Sequence, residues 1–427
     1  MSKFKNILKN NLLLKIISLN SIVVFVRLLI SLGVQRVLAV TLGEAGIAKI
    51  GQLRNLMQII ASTSSLGVFN GVVKNVSENR EDKLQLQKLF STTFVFLLIG
   101  SLLTSITLFF NASWISVRLF DTLKFIGIIQ ILAFMPIVIG VNKVFVGIIN
   151  GLSDYKKYAK IDLISYILSI VLLLIGLYNF SLKGVLLSII ITPIVQIIIT
   201  LYVFGVRLKE HLNVSKINFK VPYIKELLAF TLMSIVSTVL VNYIELDIRT
   251  MITNKISITD AGHWTAMNFI SKNYMVFSSS LFTLYVIPKF ARINRGKAFK
   301  AEVFNIYKTL LPLFGLGMIL IYVFRELVIE IIYPNFIGME PLFKWQLLGD
   351  FVRLAALVMS HQFLAKKMLI SFIITELISL GLFYFLSKYY VDLYGVQGVV
   401  MAHFYRYIIY FVIVAFAIWN YFRIKKT

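Results

Sequence analysis

A helix of about twenty apolar residues crosses the roughly 30 Å hydrocarbon core of a bilayer. Runs of that kind recur twelve times in this sequence, near 11–41, 45–76, 85–110, 122–150, 157–179, 182–206, 224–253, 259–291, 301–322, 341–366, 368–388 and 395–423. Nothing else constrains the fold so tightly. Backbone N–H and C=O groups in hydrocarbon must pair within the protein, so a run of this length has to be a helix. The expected fold class is an all-α polytopic membrane protein of about twelve transmembrane helices. Composition agrees: 59% of the 427 residues are hydrophobic and 15% charged, against about 25% charged in soluble domains. Twelve crossings leave little chain for a large soluble enzyme domain.

Lys and Arg number 43 against 19 Asp and Glu, a formal net charge of +24. In a soluble protein that balance suggests nucleic acid. Here no nucleic-acid partner is expected, because the cations sit mostly in short loops, as topology signals and contacts to anionic membrane lipids. One set of loops is rich in them: Lys3, Lys5 and Lys9; Arg80, Lys83 and Lys88; Lys156, Lys157 and Lys160; the stretch Arg207–Lys225; Lys289–Lys300; Lys366 and Lys367; Arg423, Lys425 and Lys426. The alternate loops hold few, among them Arg118, Lys124, Arg325, Lys344 and Lys388. With an even number of spans, both termini are expected on the basic, cytoplasmic side. The N-terminal Lys-rich and then apolar stretch lacks a small-x-small cleavage site and is expected to be retained. Trp114, Trp264, Trp345 and Trp419 fall near span ends, where amphipathic rings belong. With no Cys and four dispersed His, neither a disulfide nor a metal cofactor is expected.

The chain also reads as a duplication. Ser18–Val23 matches Thr231–Val236 at an offset of 213, which also carries Arg36 onto Arg249, and Ala45-Gly46 meets Ala261-Gly262 at 216. Chance similarity among common apolar residues is the competing explanation. A parallel repeat implies two pseudo-symmetric six-helix bundles around a central cavity, as in transporters that rock two lobes. The expected lobes are 1–206 and 224–427, joined by a cytoplasmic linker, 207–223.

Charges within hydrocarbon cost roughly 2.5–3.5 kcal/mol on insertion scales and so mark cavities or partners. Well inside the runs lie eleven cations, among them Arg27, Arg54, Arg249, Lys272, Arg353 and Arg406, against five acids, Asp162, Glu245, Asp247, Asp350 and Glu376. A cavity so lined suits an anion, since guanidinium forks onto phosphate oxygens. Plainer explanations stand beside this. Glu245 with Arg249, and Asp350 with Arg353, have the spacing of helix pairs that neutralise each other. Lys15, Arg36, Lys49, Lys143, Asp162 and Lys308 lie nearer span ends, where side chains reach headgroups or water, and Lys74 belongs at a cytoplasmic mouth. Arg27 and Arg54 have no acid nearby on their own helix and are read as facing a lumen. His361 shares a helical face with Asp350, and either it carries a coupling proton or it is a hydrogen-bonded packing residue. His403 and Arg406 form another i, i+3 pair.

There is no Walker loop, His-Glu-x-x-His or nucleophile elbow. What the sequence does contain is Gly46-Ile-Ala-Lys-Ile-Gly-Gln-Leu-Arg54-Asn-Leu, then Gly67-Val-Phe-Asn70-Gly71-Val-Val-Lys74, Phe230-Thr-Leu-Met233, Trp345-Gln-Leu-Leu-Gly-Asp350 and Ala365-Lys366. These segments resemble the Wzx-type polysaccharide flippases, the lipid III and O-antigen flippases among them, of the multidrug/oligosaccharidyl-lipid/polysaccharide exporter superfamily. The resemblance runs through most of the chain.

It implies a secondary transporter, not an enzyme, of the bacterial cytoplasmic (inner) membrane. Such a protein moves an undecaprenyl-pyrophosphate-linked oligosaccharide from the cytoplasmic to the periplasmic leaflet by alternating access, with polysaccharide polymerase machinery as a potential partner. Arg54, Lys74, Arg249, Asp350 and Glu376 fall on matching segments. Arg353 stands in place of a lysine, and Arg406 where an uncharged residue is usual. The expected substrate contacts are Arg27, Arg54, Arg249 and Arg353 to pyrophosphate, with Lys74, Lys272 and Arg406 nearby, and Gln52, Asn70 and Asn268 to sugar hydroxyls. A proton or sodium gradient would be coupled through Asp350, Glu376 or His361, with no cofactor. Three rivals remain. A cation-coupled multidrug antiporter of the same superfamily would want an acidic, aromatic cavity. A peptidoglycan lipid II flippase usually carries two more helices. A membrane glycan polymerase or ligase would want large outer loops, and the longest here is only about 323–340.

Overall fold

A computed structural model describes residues 12–211 and 217–424. Of the topology signals, Lys3, Lys5, Lys9, Lys216, Lys425 and Lys426 lie outside the described residues, as do the first eleven residues of the N-terminal stretch expected to be retained and the Lys15 side chain.

Among the described residues the chain is helical, with no strand. In chain order the helices are α1 Leu12–Thr63, α2 Phe69–Glu78, α3 Lys83–Phe110, α4 Ala112–Phe120, α5 Ile126–Leu132, α6 Pro136–Gly151, α7 Tyr155–His211 and α8 Ile224–Ser234. There follow α9 Val241–Lys255, α10 Ile258–Leu281, α11 Ile287–Arg292, α12 Gly296–Val323, α13 Arg325–Ile332, α14 Leu342–Ala365, α15 Leu369–Tyr394 and α16 Gln397–Ile424. Two wide π-type turns, Ile235–Leu240 and Phe282–Val286, carry α8 into α9 and α10 into α11 without a break.

Among the described residues eight stretches are long and apolar enough to cross a membrane alone, or nine with α5 and α6, which meet at a 48° bend, taken as one broken span. Two helices are too long for one crossing. At 57 residues, α7 would measure about 85 Å. It breaks at Ser181 (φ 49°), and the 52-residue α1 breaks at Gly43 (φ 63°). The continuous stretch from α10 through α11 is interrupted by Asp260, His263 and Lys272, polar residues that dilute its hydropathy. With these splits the chain has about twelve membrane-spanning helices.

Lipid takes the place of water around them. On α3, Ile99, Leu102, Leu103, Ile106 and Phe110 form one exposed stripe at helical spacing, while Phe96, Leu97, Ser101 and Leu108 are buried on the other side. Trp114 and Trp419 are likewise exposed, as interfacial rings should be. Trp264 departs from that expectation: it is 2% exposed, packed inside the protein.

Contacts group the chain into two compact units, the described parts of Met1–Ala48 with Met251–Thr427, and Lys49–Thr250. These bounds differ from the expected lobes, 1–206 and 224–427. The first unit has a core of Leu281, Val286, Phe290, Ile306, Leu354 and Tyr410. The second is built on Val68, Val72, Val76, Phe90, Ile148 and Leu227.

Candidate functional site

The Trp345-Gln-Leu-Leu-Gly-Asp350 segment lies on α14, which puts Gln346, Gly349 and Asp350 on one helical face. Gly349 lets α16 come close: a Cβ there would lie 2.5 Å from Cδ2 of His403. Asp350 has no exposed surface. It accepts hydrogen bonds from Ser271 Oγ at 2.5 Å, Tyr274 Oη at 2.5 Å, Gln346 Nε2 at 3.0 Å and His403 Nε2 at 3.0 Å. A buried carboxylate needs such company, because unpaired it would be driven to neutralise. Arg353 stands one turn on, its guanidinium 3.7 Å from Asp350. That is an ion-pair distance but beyond a hydrogen bond.

The same seam continues along α15 and α16. Arg406, 7% exposed, donates from Nε to Ser379 Oγ at 2.8 Å and from Nη2 to Tyr407 Oη at 3.2 Å. Its guanidinium also lies 4.9 Å from the centre of the Phe383 ring and 4.6 Å from that of Tyr407, a favourable stacking of cation on aromatic faces. Arg353 faces the Tyr407 ring as well, at 5.7 Å. Glu376 on α15 accepts a 2.6 Å hydrogen bond from Tyr410 Oη. The structure thus gathers Asp350, Arg353, Glu376 and Arg406 onto three adjoining helices of one unit.

His361 is not in this gathering. Its Nδ1–H donates to the Leu357 carbonyl at 2.6 Å, and its ring stacks on Phe282 with centroids 4.4 Å apart. These are the contacts of a packing residue, and it is His403 that touches Asp350. The sequence pairs His403 with Arg406, but it does not show that Gly349 opens the way from His403 to the carboxylate. Ser271, Tyr274, Ser379 and Tyr410 were missed altogether, since single hydroxyls in apolar runs carry no pattern.

In the same unit, Arg27 is half-buried on the first part of α1. Arg36 donates to the Glu330 and Ile331 carbonyls at the end of α13, where a cation complements the helix C-terminus. On α10, Lys272 is exposed. Asn268 is half-buried, with an amide nitrogen that has no hydrogen-bond partner among the described residues.

The remaining candidates belong to the other unit, where the later part of α1 and then α2 run along α8 and α9. Arg249, 2% exposed, donates to Gln52 Oε1 at 3.3 Å, and Gln52 Nε2 in turn donates to Thr250 Oγ1 at 3.0 Å. Asn55 donates to Glu245 at 3.3 Å, and Ser62 and Ser234 hydroxyls meet at 2.7 Å. At the far end Lys74 pairs with Glu226 and lies 3.7 Å from Glu78. The glycines of the Gly67–Lys74 segment explain the close approach: a Cβ on Gly67 would fall 2.3 Å from Ser234 Cβ, and one on Gly71 2.6 Å from Leu227 Cδ2. Arg54 is half-buried and Asn70 exposed. Arg249 and Gln52 are therefore engaged with each other inside a helix pair, while Asn70 projects outward.

Comparison with known proteins adds to this geometry. Residues 50–336 match the family described as polysaccharide biosynthesis protein. The lipid III flippase of Escherichia coli (strain K12) is 24% identical over 379 residues, covering 88% of this chain and 91% of the relative, and that of Shigella flexneri matches to the same extent. Among solved structures, an inward-facing multidrug resistance MATE family transporter of the MOP superfamily matches with a TM-score of 0.73 at 15% identity, over 91% of this chain and 93% of the other. The lipid II flippase MurJ in its inward closed conformation matches with a TM-score of 0.71 at 16% identity, over 94% and 87%. The fold is that of these transporters, and the chain is a multi-pass inner-membrane protein.

Proposed function

Because the chain belongs to the polysaccharide biosynthesis protein family, we propose that it is a flippase for a polyprenyl-pyrophosphate-linked oligosaccharide. It is a transporter and not an enzyme. The cargo is an undecaprenyl-linked repeat unit of the lipid III or O-antigen type, moved from the cytoplasmic to the periplasmic leaflet by alternating access. Both termini are cytoplasmic, a reading supported by the basic loops. The polysaccharide polymerase machinery is the partner that would receive the product.

The observation that carries this reading is the seam on α14, α15 and α16. Two guanidinium groups, Arg353 and Arg406, stand deep in apolar helices, and the one fully buried acid beside them already accepts four hydrogen bonds. Carrying a diphosphate and several sugars through hydrocarbon would strip hydrogen bonds worth several kcal/mol each. Guanidinium groups replace those of the phosphate, and an amide such as Asn268, whose nitrogen has no hydrogen-bond partner among the described residues, replaces those of the sugars. The polyprenyl tail needs no such path, since it is at home in lipid. In the same unit Arg27 and Lys272 extend the cationic set. An antiporter for organic cations would repel its cargo at such a seam.

A proton or sodium gradient drives the cycle, with Asp350 and Glu376 as carriers. His403 is a stronger candidate than His361 to share the Asp350 proton, on the support of its 3.0 Å hydrogen bond.

The test is translocation of a lipid-linked oligosaccharide in a flippase-deficient bacterium. Arg353→Ala and Arg406→Ala are expected to slow it about tenfold or more, the worth of a charge-assisted hydrogen bond. Wild-type rates in both, and in Arg27→Ala, Arg54→Ala and Arg249→Ala, would remove the proposed pyrophosphate contacts. If Asp350→Asn and Glu376→Gln transport normally while a gradient is still needed, neither is the carrier.

A further inference from the structure

A second cationic feature lies at one end of the Lys49–Thr250 unit. Where α3 begins and α7 ends, the linker residues 217–223 fold over α3 and border a half-open cavity of about 930 Å³. Its wall carries Lys83, Lys88, Lys209 and Lys220, with Gln87 and Ser91 between them. Glu210 is its one acid among the described residues. None of the four lysines has an ion-pair partner among the described residues.

The linker is held in place and does not merely drape. The Asn218 amide donates to Ser91 Oγ at 3.3 Å, the Tyr223 amide to Thr92 Oγ1 at 3.2 Å, and the Tyr223 hydroxyl to Gln85 Oε1 at 3.1 Å. Phe219 packs near Phe94 with ring centroids 6.1 Å apart, yet remains 76% exposed, and Leu84 is 66% exposed. The cavity therefore combines four ammonium groups, hydrogen-bonding side chains and bare apolar surface at the ends of two membrane-spanning helices. Lysines acting only as topology signals require charge, but they require neither a walled cavity nor a fixed linker.

We propose that this cavity binds the phosphate headgroup of an anionic glycerophospholipid. Its volume falls in the range of small-molecule sites and far exceeds what a bare phosphate ion fills. The surplus of three positive charges selects a headgroup with net negative charge over a zwitterionic one. Exposed Leu84 and Phe219 give the first carbons of the acyl chains a surface that a soluble anion would not use. Lysines near a membrane surface each strengthen binding to anionic lipid about fivefold.

The experiment uses the full chain in phosphatidylcholine vesicles containing a small amount of phosphatidylglycerol that bears a photoreactive group near its headgroup. Labelled peptides are mapped by mass spectrometry. Label is expected on 83–91 and 217–223, displaced by unlabelled phosphatidylglycerol but not by phosphatidylcholine or by millimolar inorganic phosphate. The pairs Lys83→Gln with Lys88→Gln and Lys209→Gln with Lys220→Gln should each weaken labelling about twenty-five-fold at two lysines apiece. Lys124→Gln with Lys388→Gln should leave it unchanged. Equal displacement by phosphatidylcholine would reduce the cavity to ordinary lipid-facing surface, and displacement by inorganic phosphate would make it a site for a free ion. Either overturns the proposal, as does wild-type labelling in both lysine pairs. Because the two pairs lie on different elements, a folding defect in one leaves the other to decide.

Discussion

At the scale of single residues, the buried carboxylate of Asp350 fixes what its neighbours can be. His403 reaches it only because position 349 is glycine. Gly349→Ala forces a methyl group against the His403 ring and is expected to destabilise the protein by about 1–3 kcal/mol, read as a lower thermal midpoint in detergent. His403→Gln should cut translocation about tenfold through loss of a hydrogen bond to a charged group, whereas His361→Gln should leave the rate close to wild type. The reverse ranking would return the role to His361. Arg406 offers a sharper test of chemistry. It is sandwiched by aromatic faces while its Nε donates to Ser379, so lysine keeps the charge but neither the planar stack nor the fork. Arg406→Lys is accordingly expected to transport nearly as poorly as Arg406→Ala, and recovery of half the wild-type rate or more would show that charge alone matters there.

At the scale of elements, two long helices must stop and restart without leaving the membrane's edge. Gly43 takes its positive φ without steric cost. Ser181 takes a similar one, with ψ −138°, against the preference of any residue with a Cβ. The two breaks should answer oppositely to substitution. Gly43→Ala is expected to lower stability and Ser181→Gly to raise it by about 1 kcal/mol, both followed by thermal unfolding. The elements themselves were legible from sequence, because span existence depends on apolar length alone. The break at 181 was visible as a gap between the runs 157–179 and 182–206. Partners were less legible. The i, i+3 spacing correctly brought Asp350 to Arg353, since both sit on one helix. For His361 a shared face with Asp350 does not bring contact, because three turns of helix carry it to Phe282, the packing alternative of its two readings. Which residues on different helices meet is decided by small residues such as Gly67, Gly71 and Gly349, and their consequence is felt on the neighbouring helix.

At the scale of the whole molecule, the basic and non-basic loops alternate around about twelve spans, and the absence of Cys makes the topology directly measurable. Single cysteines at Lys344 and Lys388 should react with a membrane-impermeant thiol reagent in cells whose inner membrane is intact. One at Lys297 should react only after that membrane is opened. Equal labelling of all three would contradict the orientation with cytoplasmic termini. The lobes expected from sequence and the units formed by contact divide the chain differently, at 207–223 in one case and at 48 and 250 in the other. Contact depends on packing surfaces that no single segment displays.

The π-type turn at Ile235–Leu240 bears on this last point. A wide turn holds one residue more than the α-helix around it needs, and expelling that residue winds everything beyond it through about 100°. Arg249 lies three turns downstream, where it now rests on Gln52. A corkscrew step of one residue in that helix would swing its guanidinium to another face with every flanking α-helical hydrogen bond kept, so the span carries a built-in swivel that no proline or glycine advertises.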